Sequence, residues 1–205
     1  GRKLKINKNI LVRSRAPLRI SFAGGGTELP EFIDKYGGFI ISSTINKYAY
    51  TTVEWNIGSE EVMVNGLDVN RVWQCNIQEL TSENYVMHSQ LPLHEATLRY
   101  FIENYDVELP TGLLINTFCD APEGSGLGSS STLTVSLIKA FSLFFGFSLT
   151  QHEIPQIAFE IERKKLKFVG GLQDHYSATF GGLNFIDFKE DGNFIVNQLR
   201  QSEKI

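Results

Sequence analysis

The sequence predicts an α+β fold in which strands and helices form separate layers. Two observations carry this: β-rich runs crowd the first third of the chain, and apolar residues at three- and four-residue steps dominate later parts. Residues 10–12 and 18–22 read as strands, the second alternating and bounded by Pro17 and by Gly24-Gly25-Gly26. Residues 29–36 suit a short helix, stopped at Gly37 and Gly38. Residues 39–43 and 48–55 are again β-rich, and 62–64 suit a short strand. Leu98, Phe101, Ile102 and Tyr105 mark one face of a helix. Residues 113–118 return to strand. A third helix follows from Leu133, Leu137, Ile138, Phe141, Phe144 and Phe145, and a fourth from Ile154, Ile157, Ala158 and Ile161. Residues 174–179 suit a fifth. Gly181 and Gly182 then lead into a strand at 183–186, with 194–196 completing a hairpin across Glu190-Asp191-Gly192-Asn193.

The 205 residues, 42% hydrophobic and 12% aromatic, have the make-up of a soluble globular chain with ample core. A net charge of -4 argues against non-specific nucleic-acid binding. Cys75 and Cys119 lack metal-ligand spacing and suit a reducing compartment rather than a disulfide framework. No apolar run reaches the roughly 18 residues of a membrane span. The basic start, Arg2-Lys3-Leu4-Lys5, has no following apolar stretch, so no signal peptide is read there. A cytoplasmic protein is expected.

The most informative segment is Pro122-Glu123-Gly124-Ser125-Gly126-Leu127-Gly128-Ser129-Ser130-Ser131, set between a strand and a helix. Glycines clear side chains from the backbone, and the free N–H groups and dipole of a helix start favour an anion. A phosphate-binding loop follows. It is not a Walker A loop, because Gly128 is followed by Ser129 and no lysine. Nor is it a dinucleotide fingerprint, since the third of its alternating glycines comes one residue early. The competing reading is a flexible turn with a serine helix cap.

Three glycine-bearing segments need one explanation: residues 19–28, 122–131 and 162–174. Together they resemble the three N-terminal motifs of the GHMP small-molecule kinases, over about residues 13–199. The first, Ala16-Pro17-Leu18-Arg19-Ile20-Ser21-Phe22-Ala23-Gly24-Gly25-Gly26-Thr27-Glu28, is similar to the branch that phosphorylates D-glycero-D-manno-heptose 7-phosphate at its anomeric oxygen. Val169-Gly170-Gly171-Leu172-Gln173-Asp174-His175-Tyr176 points the same way. The resemblance implies a ribosomal-S5-like α+β domain, with a mixed or antiparallel sheet packed with helices. Residues 1–205 would form the ATP- and sugar-binding N-terminal domain, and the family's C-terminal domain would be absent from this chain. Another sugar, such as L-fucose, is the rival acceptor, and a non-catalytic nucleotide-binding fragment is the rival outside catalysis.

Roles follow by position within those motifs. ATP would lie on Gly124, Ser125, Gly126, Leu127, Gly128, Ser129, Ser130 and Ser131. Mg²⁺ would be held by Ser130 and Glu162, since this ion takes few protein ligands and keeps waters. The competing reading of Glu162 is a surface carboxylate paired with Lys165 or Arg163. Asp174 would be the base and Arg19 its cationic neighbour. The competing readings are a plain aspartate helix cap and a strand-surface arginine. The sugar or sugar phosphate would meet Gly24, Gly25, Gly26, Thr27, Glu28, Gly170, Gly171 and Asp174. Glu28 stands where the branch usually has aspartate. The run Arg163, Lys164, Lys165, Lys167 reads as a solvated helix end favoured by the dipole, and His175 as a structural histidine. No nucleic-acid or membrane partner is expected. An apolar patch is expected where the second domain would dock, a surface that a second copy could cover in a homo-oligomer.

Overall fold

The computed structural model describes residues 10–25, 27, 30–167, 173–189 and 194–199. Strands β1 (Leu11–Ala23), β2 (Gly38–Asn56), β3 (Glu61–Gly66), β4 (Arg71–Asn76), β5 (Gly112–Cys119), β6 (Leu183–Phe188) and β7 (Phe194–Leu199) form one sheet. Its order is β4-β3-β5-β2-β6-β7, with β1 paired to β2. Every pairing is antiparallel except β3 with β5, which makes the sheet mixed. The 19-residue β2 organises it, pairing with β6 through residues 38–43 and with β5 through 49–56.

Four expected strands are two. Those at 10–12 and 18–22 merge into a continuous β1 that starts at Leu11 and runs through Pro17, and those at 39–43 and 48–55 merge into a continuous β2. Proline removes a ladder N–H, so strands carry it at edges or bulges. Here the β1–β2 register shifts between Pro17 and Arg19. The irregularity turns two successive side chains inward: Leu18 is fully buried and Arg19 is 9% exposed. Strand β4 has no counterpart in the sequence reading. Only Trp73 and Cys75 of its six residues are buried, giving too short an alternation to stand out.

Helices α1 (Pro30–Tyr36), α2 (Ile77–Leu80), α3 (Pro92–Asn104), α4 (Ser129–Phe145), α5 (Glu153–Glu160) and α6 (Gln173–Phe180) complete the described elements. The α5 helix runs on into a π-helical turn, Ile161–Lys165, closed by Leu166 N–H to the Ile161 carbonyl at 3.3 Å. The main core joins Val53, Val62, Val64, Leu113 and Ile115 of the sheet to Phe101 of α3, Phe141 and Phe145 of α4 and Ile157 of α5. A second cluster joins Ile33 and Tyr176 to Ile40, Ile186 and Phe188. On the opposite sheet face, Phe39, Tyr50 and Phe118 stay exposed, alternating with buried Ile40, Thr51 and Thr117. No described helix is long and apolar enough to cross a membrane.

Candidate active site

The glycine loop lies between β5 and α4. Gly124, Gly126 and Gly128 all have positive φ, at 76°, 76° and 72°. This left-handed backbone explains the alternation, because it penalises any side chain with a Cβ. A Cβ on Gly124 or Gly126 would meet nothing within 4 Å, so the backbone there borders open space. Gly128 caps α4, and the Thr132 N–H donates to its carbonyl at 3.0 Å. No side chain caps the start of this 17-residue helix, which leaves the orphan N–H groups of the first turn for another acceptor. A serine cap is therefore not what the triplet provides.

The loop is sewn to β1 through Arg19. Its backbone N–H donates to the Leu127 carbonyl at 3.2 Å, and its Nη1 to the Gly126 carbonyl at 2.7 Å. Its Nε donates to Asp174 Oδ1 at 2.5 Å, joining residues 155 positions apart. Arg19 is thus no strand-surface arginine, because its side chain is only 11% exposed and that of Asp174 20%. Asp174 stands in the first turn of α6 with its carboxylate against Gly128, where a Cβ would come within 3.1 Å of Cγ. Loop, arginine and carboxylate therefore make one assembly. Among the described residues Asp174 Oδ2 and Arg19 Nη2 accept and donate no hydrogen bond, which leaves one acceptor and one charged donor for a ligand.

Glu162 is the second carboxylate. It lies in the π-helical turn, a feature that recurs at functional sites. At 7% exposure it is not a surface carboxylate. Its Oε1 accepts Thr134 Oγ1 at 3.0 Å, and its Oε2 accepts Ser131 Oγ at 3.3 Å and His175 Nε2 at 2.6 Å. Ser130 is exposed, and its carbonyl lies 3.2 Å from Thr134 Oγ1, so it competes with Glu162 Oε1 for the single proton of that hydroxyl. The sequence reading missed Thr134 and took His175 as a structural histidine. Ser131 and Thr134 are three apart on α4 and share a face, a spacing that could have exposed the pair.

The remaining expected residues are more dispersed. Gly24, at φ 86°, sits so close to β2 that a Cβ would fall 1.8 Å from the Phe39 carbonyl oxygen. The Thr27 hydroxyl lies 2.7 Å from the Gly24 carbonyl and 2.9 Å from that of Phe39, so its proton closes this turn and only its lone pairs remain. A Cβ on Gly25 would meet nothing within 4 Å. Gly26, Glu28, Gly170 and Gly171 lie outside the described residues. In the basic run, Arg163 stacks over the Phe159 ring at 5.3 Å.

Beside the loop opens a cavity of about 330 Å³, lined by Val69, Leu91, Leu93, Ala121 and Leu133, with Ser129 and Ser130 at one side. Its volume is at the lower end of the usual range for small-molecule sites. His94 and Thr117 line its floor, with His94 Nε2 2.7 Å from Thr117 Oγ1. Burial holds the His94 imidazole down at a pKa of about 4, so it is neutral at physiological pH.

A glycine loop opening a helix, an inward arginine and a carboxylate against the last glycine make a site suited to an anion, and the loop is not of the Walker type because Ser129, not lysine, follows Gly128. Residues 84–182 match the family model described as the GHMP kinases N terminal domain. The chain belongs to the GHMP kinases and carries their N-terminal domain. It is 36% identical over 191 residues to D-glycero-alpha-D-manno-heptose 7-phosphate kinase of Campylobacter jejuni, covering 92% of this chain and 54% of that protein. It is 28% identical over 174 residues to galactokinase of Thermotoga maritima, covering 83% and 44%. A crystal structure of a D-glycero-D-manno-heptose 1-phosphate kinase from Bacteroides thetaiotaomicron superposes with a TM-score of 0.85 at 37% identity, over 94% of this chain and 61% of that one. The chain spans about half the length of the curated relatives it matches.

Proposed function

We propose that this chain forms the ATP- and sugar-binding part of a kinase that phosphorylates a sugar or sugar phosphate, with the anomeric hydroxyl of D-glycero-D-manno-heptose 7-phosphate as acceptor. The observation that carries the reading is the Arg19 bridge, which joins the Asp174 carboxylate to the Gly126 carbonyl of the glycine loop. The acceptor is taken from the similarity to the heptose kinases.

The donor set fits ATP and Mg²⁺. Uncapped helix N–H groups and bare glycine backbone suit phosphates, and the adjoining cavity suits a nucleobase. A carboxylate offers about four acceptor sites. Among the described residues Ser131 and His175 fill both sites of Glu162 Oε2 and Thr134 at most one of Oε1, which leaves at least one site on Oε1 for a metal, with the exposed Ser130 hydroxyl as the second protein ligand. Magnesium supplies charge neutralisation across the terminal phosphates when bound.

The chain's own residues do the rest. Asp174 Oδ2 accepts the sugar hydroxyl and receives its proton, while Oδ1 stays engaged with Arg19 Nε. Arg19 Nη2, which makes no hydrogen bond among the described residues, faces the transferring phosphoryl oxygens. Phosphoryl transfer asks little more of a protein than such positioning.

The test is Asp174→Asn in the active kinase that contains this chain, assayed by ADP release against heptose, fucose and mannose derivatives. Asparagine keeps an acceptor for Arg19 Nε, so nucleotide affinity should stay close to the parent. Turnover should fall by ~10²-fold or more, as for loss of a positioned base. A fall of less than about tenfold would reduce Asp174 to a helix cap and leave the chemistry to Arg19 and metal positioning.

A further inference from the structure

His175 is the residue whose surroundings the proposed chemistry does not use. It is 1% exposed, one position after Asp174 on α6. Successive helix residues diverge by about 100°. Asp174 accordingly reaches β1 and the glycine loop, while His175 reaches the π-helical turn and bonds Glu162 Oε2 at 2.6 Å. Phe159 packs edge-on against the imidazole, with ring centroids 6.3 Å apart at 80°. The other ring nitrogen, Nδ1, is buried with no hydrogen-bond partner among the described residues. The tautomer follows. A buried N–H at Nδ1 would lose its water without replacement, whereas Nε2–H has an acceptor in the carboxylate.

The contacts on Glu162 differ in kind. Ser131 and Thr134 are hydroxyls on α4 that can rotate, and their bonds measure 3.3 and 3.0 Å. The His175 bond is shorter and comes from a rigid ring held by packing. Among the described residues it is the one hydrogen bond that ties Glu162 to the helix that carries Asp174. The first turn of α6 thereby sets both carboxylates of the site.

We propose that His175 is a positioning residue for metal binding: its Nε2–H holds Glu162 Oε2 so that the remaining acceptor site of Oε1 meets a divalent cation in one orientation, locked to Asp174. This rests on the proposed metal role of Glu162. Partners that orient metal-binding side chains are typically worth about 10- to 100-fold in metal affinity.

The experiment measures Mn²⁺ binding by electron paramagnetic resonance, with a non-hydrolysable ATP analogue present, on this chain and its variants. His175→Leu should weaken Mn²⁺ at least about tenfold while leaving metal-free analogue affinity unchanged. His175→Gln can place an amide N–H where Nε2–H stands, and should recover affinity to within about threefold of the parent. His175→Asn, whose amide is too short to reach Glu162, should behave like the leucine variant and serves if that variant fails to fold. Parental Mn²⁺ affinity in the Leu or Asn variant, or a loss in Gln equal to theirs, overturns the proposal. Glu162→Gln separates the layers. If it weakens Mn²⁺ while His175→Leu and His175→Asn do not, only the positioning role falls. If it leaves Mn²⁺ unchanged, the metal role of Glu162 falls and takes the positioning role with it.

Discussion

Gly128→Ala probes the point where loop and carboxylate meet. The new Cβ would sit at φ 72°, a left-handed backbone that costs an L-residue about 1–2 kcal/mol. It would also lie 3.1 to 3.3 Å from Cγ, Oδ2 and Oδ1 of Asp174, so the carboxylate must move by a few tenths of an ångström. That movement cannot stay local, because Asp174 is bonded to Arg19 and Arg19 to Gly126. Gly124→Ala and Gly126→Ala are the controls: each carries a similar positive φ, but their Cβ atoms would meet nothing within 4 Å. Urea denaturation should therefore show a similar loss of about 1–2 kcal/mol in all three. Turnover should separate them. Displacing a reacting group by much less than 1 Å still costs heavily where positioning dominates, so Gly128→Ala should lose about tenfold more than Gly124→Ala. Both rates would come from coupled ADP release at saturating ATP and sugar. Equal turnover in the two variants would refute the idea that the Gly128–Asp174 contact sets the base.

Two further outcomes are expected. Arg19→Lys keeps the charge but loses the fork that reaches Asp174 and Gly126 together, so turnover should fall at least about tenfold with stability changed less than by Arg19→Ala; parental kinetics would show that charge alone suffices. His94 has a folded-state pKa of about 4 against an ordinary 6.5, because burial penalises its charged form. The unfolded chain therefore binds the extra proton first as pH falls. Stability is full above about pH 6.5 and is lost between there and about pH 4, by about 3 kcal/mol at most. His94→Gln should flatten urea-derived stability across that window, and an unchanged slope would assign the acid sensitivity elsewhere.

Most of the elements and the character of the loop are legible in the residues alone. Helical periodicity in Leu133, Leu137, Phe141 and Phe144 is legible because a helix buries one face, and the alternating glycines are legible because only glycine tolerates three left-handed positions in five residues. Motif resemblance also nominated Arg19, Glu162 and Asp174. How these segments meet depends on packing between elements far apart in the chain. Pro17 looked like a boundary, yet β1 runs through it, because the register shift after it absorbs the missing N–H and turns Arg19 inward. Local sequence carries no trace of a bond across 155 positions, such as Arg19 to Asp174, because strand register and helix packing create it. The same holds for Glu162. Its flanking basic residues suggested a surface pair, but the π-helical turn and the packing of α4 and α6 bury it against Ser131, Thr134 and His175. Periodicity reports which face of an element is buried; which side chains share that burial depends on the fold as a whole.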